Sequence, residues 1–432
     1  ESFHRLPAEM QPMPRPWLLP ACLPLLVCLT AVAAIATASD WPQFRGPTGQ
    51  GHSDATGLPL DWSDSQNIVW KTAIPGQGWS SPVVYGNQVW LTTAEDEGRS
   101  LRAISVDVNS GKILHNVEVF RPSEALPINP KNSYASPTPV IEEGRVYVHF
   151  GSAGTACLDT STGRVLWADA SIVVDHKEGP GSSPVLWNDK LIVNFDGRDN
   201  RWVVAFNTKS GRIDWKTERS VPPPTSLERR KAYCTPLIIE YEGRDICINP
   251  GAMRVSTYNP ANGEELWWCD TNGFSTVPRP VVAHGLVYIC TGYPKSQLLA
   301  IPLEGQGDKT TRVVWQCDRQ VPLNPSLLIV GDELYMVSDR GILTCLDART
   351  GEELWVERLG GNYSASPLYA DGRVYLCSEQ GEVIVFQPGR KYQELARAQM
   401  PGRIMATPAV TGRAVLLRTD TELYRIEQRA AR

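Results

Sequence analysis

LYMVSDRGILTCLDARTGEELWVERL, residues 334–359, reads as three short runs of β-prone residues separated by two turns. Residues 334–337 form the first run, and Asp339-Arg340-Gly341 turns the chain. Residues 342–346 form the second, and Asp347-Ala348-Arg349-Thr350-Gly351 turns it again, leading into 353–359 with Trp355. A Gly closing a short polar loop suits a hairpin, because without Cβ it takes the left-handed conformation at no steric cost. Alternation of apolar and polar residues on either side fits half-buried strands. Alone, the stretch predicts a three-stranded meander.

The same pattern recurs along the chain. Copies open on Ser81-Pro82, Thr138-Pro139, Ser183-Pro184, Thr235-Pro236, Arg279-Pro280, Pro325-Ser326, Ser366-Pro367 and Thr407-Pro408, each followed by apolar residues. Taking the anchor at 82, 139, 184, 236, 280, 326, 367 and 408 gives eight copies spaced 41 to 57 residues apart, in or near the range of propeller blades. Third strands run into turns such as Ser161-Thr162-Gly163 and Ala261-Asn262-Gly263, and fourth strands carry Trp167, Trp215, Trp267, Trp315 and Trp355. His115 and Leu395 stand at the matching places in copies one and seven. The eighth copy has three strands, at 408–410, 414–417 and 422–426, and the orphan Ile68-Val69-Trp70-Lys71-Thr72 supplies its fourth. Pairing first and last segments in one blade closes the ring, so that no apolar blade face or strand edge is left open. The expected fold is therefore all-β: an eight-bladed β-propeller of four-stranded antiparallel blades, closed by an N-terminal strand completing the last blade. The predicted organisation is a signal peptide and upstream segment at 1–38, a lead-in at 39–67, the propeller at 68–427 and a short tail at 428–432.

Composition agrees with strands and turns: of 432 residues, 35 are Gly and 34 Pro, and 21% are charged. The net charge of −5 and the lack of a long basic run exclude an electrostatic nucleic-acid partner. The apolar stretch 17–36 follows Arg15 and ends at Ala36-Thr37-Ala38, a small-residue cleavage pattern that makes Ser39 the first mature residue. The competing reading of that stretch is an uncleaved membrane anchor. With no second apolar run of spanning length, the mature chain is expected to be exported, periplasmic or secreted, and monomeric. Eight cysteines lie beyond residue 38, none in a Cys-x-x-Cys pair, and most occupy strand positions as small core residues. Cys269 and Cys317 sit at matching places in successive copies, which leaves a disulfide between them open.

Copies such as Thr155-Ala156-Cys157-Leu158-Asp159-Thr160-Ser161-Thr162-Gly163-Arg164-Val165-Leu166-Trp167, with the lead-in Trp41-Pro42-Gln43-Phe44-Arg45-Gly46, resemble the pyrroloquinoline-quinone (PQQ) repeat superfamily from about residue 41 to 426. The resemblance implies two kinds of function. One is the non-catalytic scaffold of BamB-type proteins, which serve outer-membrane protein assembly. The other is that of quinoprotein alcohol dehydrogenases, which typically hold PQQ and calcium beneath a disulfide of adjacent cysteines. This chain has no adjacent Cys pair and no Cys-x-x-Cys-His haem site. The leading expectation is a binding or scaffold module without cofactor; PQQ with calcium is the alternative.

Other chemistry is sparse. The six His are scattered without metal-ligand spacing. Asp196-Gly197-Arg198-Asp199-Asn200 carries oxygen donors at close spacing but falls between two strands, where a hairpin turn accounts for it. Loops entering the first strand of each blade converge on the central channel, where propellers commonly bind. The residues proposed there are Trp79, Tyr134, Lys177, Arg229, Tyr233, Phe274, Tyr363 and Arg403. Aromatics beside hydroxyls and cations suit a protein partner, a glycan or a small polar ligand at the funnel.

Overall fold

A computed structural model of the chain describes residues 40–63 and 66–428. The expected signal peptide lies outside these residues. Eight four-stranded antiparallel blades form the ring. Blade 1 spans 83–120, blade 2 140–169, blade 3 185–218, blade 4 237–270, blade 5 281–317, blade 6 328–358 and blade 7 368–399. Blade 8 joins 409–427 to Ile68–Ala73, which pairs antiparallel with Glu422–Glu427. The ring is closed by the strand the sequence left unpaired.

The recurring Trp and the recurring turn glycine are two halves of one contact between neighbouring blades. Trp167 in blade 2 donates its Nε1–H to the Thr208 carbonyl of blade 3 at 2.8 Å, and its ring lies over Gly211. A Cβ at Gly211 would stand 2.7 Å from that ring, and the residue has φ +70°, so Gly suits the position on both counts. Trp70, Trp215, Trp315 and Trp355 donate in the same way to Val108, Pro260, Ala348 and Gly389 of the next blade. Blade 4 departs from the pattern. There the following turn is lengthened, Gly307-Asp308 pairs in parallel with Trp267-Trp268, and the Lys309 Nζ sits 3.9 Å above the Trp267 ring.

Two sequence expectations shift, and one question left open is answered. A bulge precedes the Trp position in the fourth strands, and in blade 7 the bulge falls between Glu394 and Ala396. Ala396 therefore occupies the Trp place there, not Leu395, and Tyr392 packs against Trp355 and Phe386 nearby. In blade 6 the first strand is Leu328–Val330, so Ser326 corresponds to Ser81 and not to Pro82. Cys269 and Cys317 are free thiols, as are the other six described cysteines.

Candidate functional site: a funnel with a closed floor

The residue two places before each first strand is a hydroxyl in seven blades, and these residues form a crown around the channel. Each backbone N–H donates to the hydroxyl of the next blade: Ser81 to Thr138 (3.0 Å), Thr138 to Ser183 (2.9 Å) and Ser183 to Thr235 (2.9 Å). The series resumes with Arg279 to Ser326 (3.0 Å), Ser326 to Ser366 (3.0 Å), Ser366 to Thr407 (2.9 Å) and Thr407 back to Ser81 (3.1 Å). The one missing link is at Thr235, because blade 5 carries Arg279 where the eighth hydroxyl would stand. Ser and Thr suit this place because a short side-chain oxygen can accept a backbone N–H that no strand pairs.

Beneath the crown the lead-in crosses the ring. Trp41 exchanges both backbone hydrogen bonds with Val84 of blade 1, and the Pro42 carbonyl accepts from Ile141 of blade 2. Further on, Gln50 Oε1 accepts from Val282 of blade 5, and Gly51 accepts from Tyr369 of blade 7. His52–Ser53 then pairs in parallel with Tyr369-Ala370. Arg279 fastens the crossing, donating to the Phe44 carbonyl (2.5 Å), Gln43 Oε1 (3.0 Å) and Pro236 (3.0 Å). Arg45 is fully buried and donates to Leu327 (2.5 Å) and Gln50 (2.9 Å). The lead-in is thus the floor of a cavity of about 660 Å³, with Phe44 and the seven crown hydroxyls in its lining.

The walls bring together Trp79, Lys177, Tyr233 and Phe274 of the residues expected from sequence. Trp79 is braced by its Nε1–H donating to the Lys131 carbonyl (3.1 Å), and Tyr233 by its hydroxyl donating to the His176 carbonyl (2.7 Å). Burial raises the pKa of the Tyr233 phenol, so it stays protonated. Phe274 meets Tyr293 edge-on at 5.4 Å. Arg403 stands outside the cavity lining, 5.7 Å from the centre of the Trp79 ring and 3.5 Å from Glu379. The other three point elsewhere. Tyr134 packs over Gly98 and the core between blades 1 and 2, Tyr363 is fully buried between blades 6 and 7, and Arg229 is exposed with its guanidinium near Met253 Sδ.

Charges at the mouth are paired. Lys231 lies 2.5 Å from Glu228 and 3.2 Å from Glu178, and Lys177 lies 2.8 Å from Glu228. The hydrogen bonds from Lys177 and Lys231 hold the Glu228 carboxyl down at about 2, and the Glu228 bond raises Lys177. Across the mouth Lys131 meets Glu379 at 2.8 Å, and Ser364 donates to the same carboxylate. Burial alone would raise the Glu379 pKa, but the Lys131 and Ser364 bonds outweigh it and the net shift is downward. Among the described residues no three His, Cys, Asp or Glu side chains are placed to hold a metal ion. Asp196, from the oxygen-rich hairpin, is instead committed to Arg219 at 2.5 Å, both buried. Sequence reasoning missed Phe44, Tyr293 and the crown; the Ser/Thr before seven of the eight first strands was the signal for the last.

A closed eight-bladed propeller with blades docked by tryptophan and a lined central funnel defines the class of protein. The family model described as outer membrane protein assembly factor BamB matches residues 60–235, 129–355 and 305–430, and the chain belongs to that family. BamB of Bordetella pertussis is 25% identical over 289 residues, covering 61% of this chain and 64% of that protein. Quinoprotein alcohol dehydrogenase PedH of Pseudomonas putida is 28% identical over 230 residues, 47% of this chain and 36% of that one. The chain thus spans less than two thirds of these curated relatives. Among solved structures, BamB from Moraxella catarrhalis superposes with a TM-score of 0.57 at 14% identity, covering 83% of this chain and 99% of that one. A europium-containing methanol dehydrogenase superposes at 0.69 and 10% identity, over 90% and 98%. At these identities the structural likeness shows the fold alone. No helix among the described residues is long and apolar enough to cross a membrane.

Proposed function

We propose that this protein is an exported, non-catalytic binding or scaffold propeller whose funnel receives a ligand or a segment of a partner protein. The observation that carries this reading is the funnel itself: a closed floor, aromatic walls at Trp79, Tyr233 and Phe274, and amide and hydroxyl groups between them. Such a mixture of apolar faces and a few directional polar groups is what binding pockets use for affinity and orientation. The match to the BamB family model supports a scaffold role, and the apolar segment ending at Ala36-Thr37-Ala38 supports export.

Donor chemistry favours this reading over the quinoprotein alternative. Glu178, Glu228 and Glu379 are each bound to lysines or an arginine, and among the described residues no carboxylate cluster of the kind that holds calcium with oxygen ligands is left over. Calorimetric titration of wild type with peptide and glycan panels, repeated with Trp79→Ala and Phe274→Ala, tests the proposal. At least a tenfold loss of affinity for a bound member of either panel is expected in both variants. Micromolar binding of PQQ with calcium, together with dye-linked dehydrogenase turnover, would overturn it.

A further inference from the structure

The floor of the funnel carries donors that the chain itself does not use. Each of the seven crown oxygens already accepts a backbone N–H. Among the described residues none of these hydroxyls donates to another protein group. All seven residues are at most 3% exposed, and all line the cavity. A hydroxyl that accepts on its backbone side has its own proton free for something else, and a buried O–H without an acceptor costs free energy.

The crown also sits over positive charge that no described residue neutralises. Every acceptor of Arg279 is a neutral carbonyl or amide oxygen. Arg45 is buried with Nε and Nη1 unpartnered, and among the described residues neither guanidinium has a carboxylate within ion-pair distance. Burial brings Arg45 down to about 9 and Arg279 to about 10, which leaves both protonated at neutral pH. At the mouth, by contrast, Lys131, Lys177, Lys231 and Arg403 all face carboxylates. The unbalanced charge is therefore at the bottom.

From this juxtaposition we infer that the crown of Ser81, Thr138, Ser183, Thr235, Ser326, Ser366 and Thr407, backed by Arg279 and Arg45, is an oxyanion-binding floor. It takes a carboxylate, sulfate or phosphate group of whatever the funnel holds. Several hydroxyl donors lining one cavity, with cationic charge behind them, are an arrangement that stabilises an oxyanion. Phe44 and the wall aromatics serve the rest of the ligand. The inference rests on the funnel being a binding site and adds the chemical class of the group bound deepest.

Crystals of the wild-type chain grown with selenate test it without any variant: an anomalous selenium peak within hydrogen-bond reach of the crown hydroxyls is expected. Calorimetry at constant ionic strength with sulfate, phosphate, and a short peptide bearing either a free or an amidated C-terminus separates the sources of the anion. Saturable binding of at least one oxyanion is expected, weakened tenfold or more by Arg279→Gln. No selenate peak at the crown and no saturable oxyanion binding would overturn the inference. If Trp79→Ala still abolished binding of an uncharged panel member in that case, the funnel reading would stand while the oxyanion floor fell. A selenate peak at the crown with wall substitutions silent for every ligand would do the reverse.

Discussion

His176 lies behind the funnel wall, and both its ring nitrogens are buried without a partner. Burial pushes its pKa down to about 4, and that of the buried His149 down to about 3. The folded state thus refuses protons that the unfolded chain takes up near pH 6.5. Stability is full above that value and falls as pH drops toward about 4, by an amount on the order of a few kcal/mol. Urea unfolding at pH 7.5 and pH 5 is expected to show this loss, with a visibly flatter pH dependence in His176→Leu. A second residue-scale prediction concerns Asp196, whose only charged partner at ion-pair distance among the described residues is the buried Arg219. Asp196→Ala leaves that guanidinium uncompensated and is expected to cost about 3–5 kcal/mol in the same assay. At this scale the sequence was legible unevenly. Trp79 and Tyr134 come from similar loops, yet one faces the funnel and the other the core, because an irregular loop has no period to say which way a side chain turns.

Elements were the most legible scale, because blade-to-blade docking repeats. A Trp in one fourth strand and a Gly in the next blade's turn each explain the other, and both recur at fixed places in the copies. Gly211→Ala combines a positive φ with a methyl 2.7 Å from the Trp167 ring. It is expected to destabilise by about 1–3 kcal/mol, more than an alanine at an exposed turn would. Trp215, buried and donating to Pro260, is expected to cost about 3–5 kcal/mol on replacement by Ala, measured by the shift in unfolding midpoint. The misplacements at Leu395 and Ser326 have different causes. A bulge inserts one residue without leaving a composition signal, and Pro325, two places before the position that matches Pro82, drew the sixth copy's start out of register. One residue is enough to exchange the two faces of a strand, so boundaries remained less legible than the elements themselves.

For the whole molecule, closure followed from counting strands, since seven full copies, one short copy and one orphan strand have a single consistent assembly. What the sequence did not disclose was the role of residues 41–53. Aperiodic and rich in glycine, they read as a lead-in, yet they touch blades 1, 2, 5, 6 and 7. These partners are far away in the chain, and no local pattern announces contacts of that kind. Trp41 and Trp62 join the core that links blades 1, 7 and 8. Removing residues 40–63 is therefore expected to lower stability by more than about 3–5 kcal/mol, the cost of losing one large core side chain. The same truncation is expected to speed protease cleavage of the inner strands.

The floor laid by that segment has a consequence for traffic. A central channel open at both ends can be threaded by a polymer anywhere along its length, but a cup has one doorway. Whatever enters must leave the way it came, and a long molecule can present only a tip. A guest received as proposed is accordingly recognised by its end rather than its middle, and how long it stays is set by the rim it must pass twice.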